Sequence, residues 1–157
     1  MTEETVTCIK VCCDASATIL SLIAIIISVI ALINNSKKNK SDTLLILKGY
    51  INDARSNLSS VSLEIDKNAT ANDHTEIQNA AFEEAQERLL NAYETACERF
   101  FKKEIDPKDF SDNFADDITT FVQNPSFATR YFNGLYSRFY YIKKYYINYI
   151  EKKSSKR

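Results

Sequence analysis

Tryptophan is absent from this chain, histidine occurs once, and glycine and proline occur twice each. Tight hairpin turns draw on Gly, Asn and Pro, so this scarcity argues against a sheet and for an all-α fold. It also excludes glycine-rich phosphate cradles, because neither GxGxxG nor GxxxxGK occurs. His74 lies in the polar run "DKNATANDHT", Asp66 to Thr75, near Asp73 and Glu76. That setting fits a surface imidazole rather than a general base. The acids sit mostly on a Glu-rich solvated helix face, and no two of them stand out as a pair. The chain is therefore not read as an enzyme: no catalytic residue, cofactor, metal site or small-molecule substrate is expected.

Cysteine is sparse and clustered. Cys8, Cys12 and Cys13 stand together and Cys97 stands alone. Three thiols without a fourth ligand make a poor zinc site. Packing at a membrane interface is the simplest role for the cluster. Cross-linking of two copies in an oxidising compartment and juxtamembrane acylation are the alternatives. Cys97 reads as a small buried residue.

Charge is missing altogether between Asp14 and Lys37. Within that gap, "ATILSLIAIIISVIALI", residues 17–33, holds seven Ile, three Leu and one Val. A helix over residues 15–33 spans roughly 28 Å, close to the ~30 Å of a hydrocarbon core. The aliphatic residues favour insertion by about 3 to 6 kcal/mol before the hydroxyl penalties. Thr18, Ser21 and Ser28 can bond back to carbonyls one turn earlier, which makes them tolerable in lipid. A cleaved signal peptide fits less well. The first 14 residues set Glu3, Glu4 and Asp14 against Lys10, and the run ends in "LINNSKK" with no small-x-small site. A soluble core helix rarely stays apolar on every face for five turns.

These features predict a transmembrane helix over 15–34 after a short extracytoplasmic segment, 1–14. A basic juxtamembrane joint follows over 35–43, then a helical domain over 44–152 and a basic tail over 153–157. Lys37, Lys38, Lys40 and Lys48 follow the apolar run, and Lys10 alone precedes it. The positive-inside rule then puts the helical domain in the cytoplasm, with the N-terminus on the outer side of the membrane. Within the span, Ala17, Ser21, Ala24, Ser28 and Ala31 recur at steps of four and three. Such a seam lets two transmembrane backbones approach closely. Membrane lipid and a second copy, or a partner protein, are the expected partners.

The rest reads as four helices. Ser41 or Asp42 is the expected N-cap of the first. Its Leu44, Leu47, Ile51, Ala54, Leu58, Val61 and Ile65 form a heptad stripe, suited to a bundle or to a short coiled coil. "NNSKKNK" puts this stripe out of phase with the seam and reads as a break between the two. The second helix spans about 76–103, with Phe82, Ala85, Leu89, Ala92 or Tyr93, Ala96 and Phe100 on its apolar face. Asp106 caps the third and Pro107 takes its first position. "NPS" ends that helix, and a fourth runs over 126–152.

Residues 73–125 carry 13 acids and five bases, whereas residues 126–157 carry eight bases and one acid. Seven of the nine tyrosines fall between Tyr131 and Tyr149. An acidic second helix lying against a basic fourth is the simplest account. A basic aromatic interface built on Arg130, Arg138, Tyr140, Tyr141, Lys143, Lys144 and Tyr145 is the alternative. It would serve a protein partner or an anionic membrane, and less readily nucleic acid.

The run "LLNAYETACERFFKKEIDPKDF", followed by "YSRFYYIKKYY", resembles a loosely defined group of uncharacterised small bacterial membrane proteins. The resemblance rests on Leu90, Asn91, Tyr93, Glu94, Ile105, Asp106 and Phe110 and covers some 60 residues. It implies an N-terminal anchor, a cytoplasmic helical domain and a phage-defence or mobile-element setting, with no catalytic residues. Asn91 and Glu94 are expected to bond to the turn before the third helix. Two functions follow as expectations: a membrane-anchored adaptor, sensor or accessory protein, or an oligomerising effector that perturbs the bilayer when triggered.

Overall fold

A computed structural model describes the backbone of residues 3–68, 76–133 and 138–152, with side chains from Ser21 onward and without that of Asn68. All regular structure among the described residues is helical. The elements are α1 (Glu3–Asn68), α2 (Glu76–Phe101), α3 (Pro107–Gln123), α4 (Pro125–Phe127, continued by a π-helical turn, Ala128–Phe132) and α5 (Tyr140–Tyr145, continued by π-helical Tyr146–Glu151). The chain divides into two compact units, Met1–Asn39 and Lys40–Arg157.

The first unit is helix alone. From Leu22 to Ile33 its large aliphatic side chains are 47–69% exposed, so the chain itself buries no face of the apolar run. Among the described residues, α1 is the one helix long and apolar enough to cross a membrane. The Ser28 hydroxyl donates to the carbonyl of Ala24 at 2.8 Å, as expected of a serine in a greasy helix.

The expected joint over 35–43 contains the boundary between the two units, after Asn39, and its backbone is helical throughout. Ser41 and Asp42 therefore lie inside a helix rather than at an N-cap. The physical reason is local. No Gly or Pro interrupts "NNSKKNKSD", and amides already bonded to carbonyls four residues back need no cap.

The second unit is a small bundle built around α2, whose Leu90, Tyr93, Ala96 and Cys97 are completely buried. Packing on α2 are α5 and α3, and α3 also meets α4 and the end of α5. The stripe on α1 contributes to this core. Leu47, Ile51 and Ala54 are buried, with Leu44 and Leu58 partly buried against them. Between the heptad readings, the bundle is the one this packing satisfies. Val61 and Ile65 extend the stripe only as half-buried positions.

Aromatic rings fill the centre. Phe110 lies 4.7 Å from Phe100, 4.8 Å from Tyr145 and 5.1 Å from Phe114, ring centre to ring centre. Offset and edge-to-face pairs of this kind add roughly 0.5–1.5 kcal/mol each beyond the burial of their area.

Local chemistry places the ends of the helices. α2 stops where Lys103 turns left-handed, at φ 62°. The amides of Lys103 and Glu104 then reach back to the carbonyls of Phe100 and Arg99, the double hydrogen bond of a Schellman stop. Asp106 caps α3 by accepting from Lys108 N at 2.9 Å, with Pro107 at the first position. Asn124 repeats the device before Pro125, accepting from Ser126 N at 2.9 Å.

The expected fourth helix is two pieces. Asn133 (φ −84°, ψ 10°) and Phe139 (φ −110°, ψ 67°) both depart from helical geometry. The apolar period continues on both sides of the interruption, which is why the sequence reads as a single helix. Phe139 supplies no side-chain cap to α5. The cap comes instead from Glu94 on α2.

Candidate functional site

Glu94 accepts from Tyr141 N at 2.8 Å through Oε1 and from Ile142 N at 2.9 Å through Oε2. Both carboxylate oxygens thus satisfy the open amides at the start of α5, where a negative charge also meets the positive end of the helix. Burial pushes the Glu94 carboxyl above its ordinary range, and these two backbone bonds oppose that shift. Glu94 therefore serves the start of α5, not the turn before α3 as the sequence led us to expect. Asn91 is exposed and does not reach that turn either.

A second polar cluster joins three helices. Tyr93 Oη on α2 donates to Asp117 Oδ2 on α3 at 2.6 Å. Arg55 Nη2 on α1 donates to Tyr93 Oη at 2.7 Å and to Asp117 Oδ2 at 2.9 Å. Burial, followed by the bond to Asp117, pushes the Tyr93 hydroxyl well above the ordinary tyrosine range. A phenol held protonated in this way is a donor and not a base. A cavity of about 150 Å³ beside it is bordered by Lys48, Asn52 and Asn113. The sequence gives no local sign of this cluster, since its members lie 24 to 62 residues apart. A larger open groove of about 530 Å³ runs between α1 and α2, past Tyr50, Asp53, Ala54, Arg88 and Ala92.

The basic aromatic residues fall into separate groups. Arg130 pairs with Glu83 through two contacts, one of 2.7 Å, and Arg138 pairs with Glu87 at 2.7 Å. These pairs are the expected contact between the acidic second helix and the basic C-terminal segment. Each is solvent-exposed, so screening leaves it a minor contribution to stability. Tyr145 belongs to the core. Lys143 Nζ donates to the Phe132 carbonyl at 3.0 Å, which ties α5 to α4 across the interruption. Tyr140 is exposed, while Tyr141 and Lys144 are half-buried: Lys144 Nζ lies 4.5 Å from the Phe101 ring centre, 5.3 Å from that of Tyr140 and 5.9 Å from that of Tyr141.

In the seam, Ser21, Ala24, Ser28 and Ala31 are exposed, while the side chain of Ala17 lies outside the described residues. The side chains of Cys8, Cys12 and Cys13, together with His74 and the tail 153–157, lie outside them too. Cys97 is buried as expected, and burial raises its thiol pKa well above the ordinary value.

The residues that carry the resemblance to small bacterial membrane proteins have structural jobs here. Leu90, Tyr93, Ile105 and Phe110 are core, Asp106 caps α3, and Glu94 caps α5. No family model, curated protein or solved structure matches the chain.

Proposed function

We propose that this chain is a single-pass membrane protein that holds a helical interaction module, residues 44–152, on the cytoplasmic face of a bacterial inner membrane. The observation that carries this reading is the aliphatic run Leu22–Ile33, which is exposed around its whole circumference. In water, so much unburied aliphatic surface costs about 25 cal/mol per Å², whereas a bilayer removes the cost. Lys37, Lys38 and Lys40 after the run favour a cytoplasmic module. The module itself has a filled aromatic core and polar groups that serve its own helices, which supports an adaptor or sensor acting by contact.

The test is fractionation followed by alkaline carbonate extraction. The intact chain should stay with the membranes until detergent is added, and a reporter fused after Arg157 should be active in the cytoplasm. Intact chain in a detergent-free soluble lysate would overturn the anchor, and activity only outside the cell would overturn the orientation.

A second reading is supported by the exposed small residues Ser21, Ala24, Ser28 and Ala31. Here the chains oligomerise through the seam and perturb the bilayer on a signal. On overexpression such an effector depolarises cells, and Ala24→Leu with Ser28→Leu abolishes the effect. An adaptor is harmless in the same assay.

A further inference from the structure

The pairs Arg130–Glu83 and Arg138–Glu87 neutralise the upper part of the basic C-terminal segment. Lys143 and Lys144 have no carboxylate partner among the described residues, and the sequence adds Lys152, Lys153, Lys156 and Arg157 directly beyond. The surplus positive charge coincides with exposed large apolar side chains. Tyr140 is 56% exposed, Tyr149 48% and Ile147 39%. The rings form one patch: Phe101 lies 5.9 Å from Tyr141 and 6.2 Å from Tyr149, and Lys144 sits over Phe101, Tyr140 and Tyr141.

We propose that this patch, Phe101, Tyr140, Tyr141, Lys144 and Tyr149, docks on an anionic lipid surface and lays the helical module against the bilayer. The proposal rests on the anchor reading above, which already brings the module to a membrane. Three features select lipid. Tyrosines with an apolar body and a polar tip settle at headgroup level. Lys144 among them, with no carboxylate partner among the described residues, complements anionic headgroups. Base stacking, by contrast, needs bare ring faces, and here Lys144 covers three rings while Tyr149 stacks on Tyr145 at 5.2 Å and 15°. The patch is anchored from beneath, because Tyr149 also meets the core ring of Phe100 edge-on at 5.1 Å.

The absence of Trp makes the test direct. Tyr140→Trp places a single fluorophore in the patch of the full chain, reconstituted in nanodiscs of phosphatidylcholine alone or with phosphatidylglycerol. In anionic discs the emission should shift to the blue and be quenched by brominated lipid, and high salt should reverse both effects. Adding Lys144→Gln should weaken the engaged state about fivefold, the effect of one lysine near an anionic surface. Circular dichroism of that variant checks that the fold is kept. Emission that is identical in the two disc types overturns the proposal. A blue shift that grows with protein concentration but escapes brominated lipid also overturns it and identifies a second copy as the occupant. Should the chain fail to enter discs at all, the anchor reading falls. Co-sedimentation of the soluble chain with anionic vesicles, but not with neutral ones, would then still support the patch, and no co-sedimentation would reject it.

Discussion

The hydroxyl of Tyr93 is the meeting point of three helices, donating to Asp117 at 2.6 Å while accepting from Arg55 at 2.7 Å. Arg55 is the polar tie between α1 and the rest of the bundle here, and it lies beside the apolar contact of Ile51. Tyr93→Phe keeps the ring against Phe114 and Phe121 and deletes only the hydroxyl. It should lower the unfolding free energy by about 1.5–3 kcal/mol, as expected for a lost hydrogen bond to a charged partner. Urea unfolding of the detergent-solubilised chain, followed by circular dichroism, measures this loss. In a double-mutant cycle with Asp117→Asn the two changes should couple by about 1 kcal/mol; additive losses would mean that the short bond contributes nothing.

The α1 stripe gives a sharper contrast. Ile51 is buried in the bundle core, whereas Ile46 on the same helix is 57% exposed. Ile51→Ala should cost about 2–5 kcal/mol, the range for large-to-small changes in a core. Ile46→Ala should stay within about 0.5 kcal/mol. The mass of the solubilised particle should not change in either case. A fall in mass with Ile51→Ala and no loss of stability would restore the coiled coil.

Features held by neighbours in sequence could be read directly, and features held by distant partners could not. Asp106-Pro107 announces a helix start, because cap and first position are adjacent, and it appears where expected; "NPS" ends α3 as read, but there Asn124 also caps α4, a role the sequence reading did not assign to it. The buried stripe on α1 and the buried Cys97 followed from periodicity and residue type. The interruption between α4 and α5 was missed because Phe127, Tyr131, Phe139 and Ile142 keep helical spacing across it, although the dipeptide Asn133-Gly134 is a turn signal. The residue that makes a new helix start tolerable there is Glu94, 47 residues away. "NNSKKNK" holds the boundary between the two units, but its backbone stays helical. Its composition is that of a turn, yet Asn, Ser and Lys lose only a few tenths of a kcal/mol inside a helix, roughly within the ~0.7 kcal/mol span of ordinary residues.

The Glu94 cap carries a pH signature. Its folded pKa is raised by burial above the unfolded value, so the native chain holds this proton more tightly than the unfolded chain does. Glu94 therefore contributes stability that is fully present below the unfolded carboxyl pKa and is lost as pH rises through the folded one. Glu94→Gln keeps the shape, removes the titration and turns an amide NH2 toward a backbone N–H. At neutral pH it should cost about 1–3 kcal/mol. The ion pair of Glu83 titrates equally in both proteins and cancels from the difference, whereas Glu98, whose charge helps to raise the Glu94 pKa, belongs to the same titration. The gap between wild type and Glu94→Gln should widen as pH falls from neutrality toward the ordinary carboxyl range. Urea midpoints measured across that range decide the matter, and a gap that narrows would show that the carboxylate, not the acid, is the preferred form.

Lys103 offers the opposite experiment, a substitution that stabilises. It holds φ at 62° so that the amides of Lys103 and Glu104 can close the end of α2. That left-handed conformation costs a residue with a Cβ roughly 1–2 kcal/mol. Among the described residues no ion pair uses the Lys103 side chain to offset this cost: the one across the stop is made by Arg99 and Glu104 at 2.6 Å. Lys103→Gly removes the clash and adds some unfolded-state freedom, for a net gain of about 0.5–1 kcal/mol. Lys103→Val places a β-branched side chain in the same conformation and should lose stability. Thermal unfolding of the three proteins should therefore rank Gly above Lys and Lys above Val. The order matters beyond α2, because Ile105 and the Asp106 cap follow within three residues and take their direction from this stop.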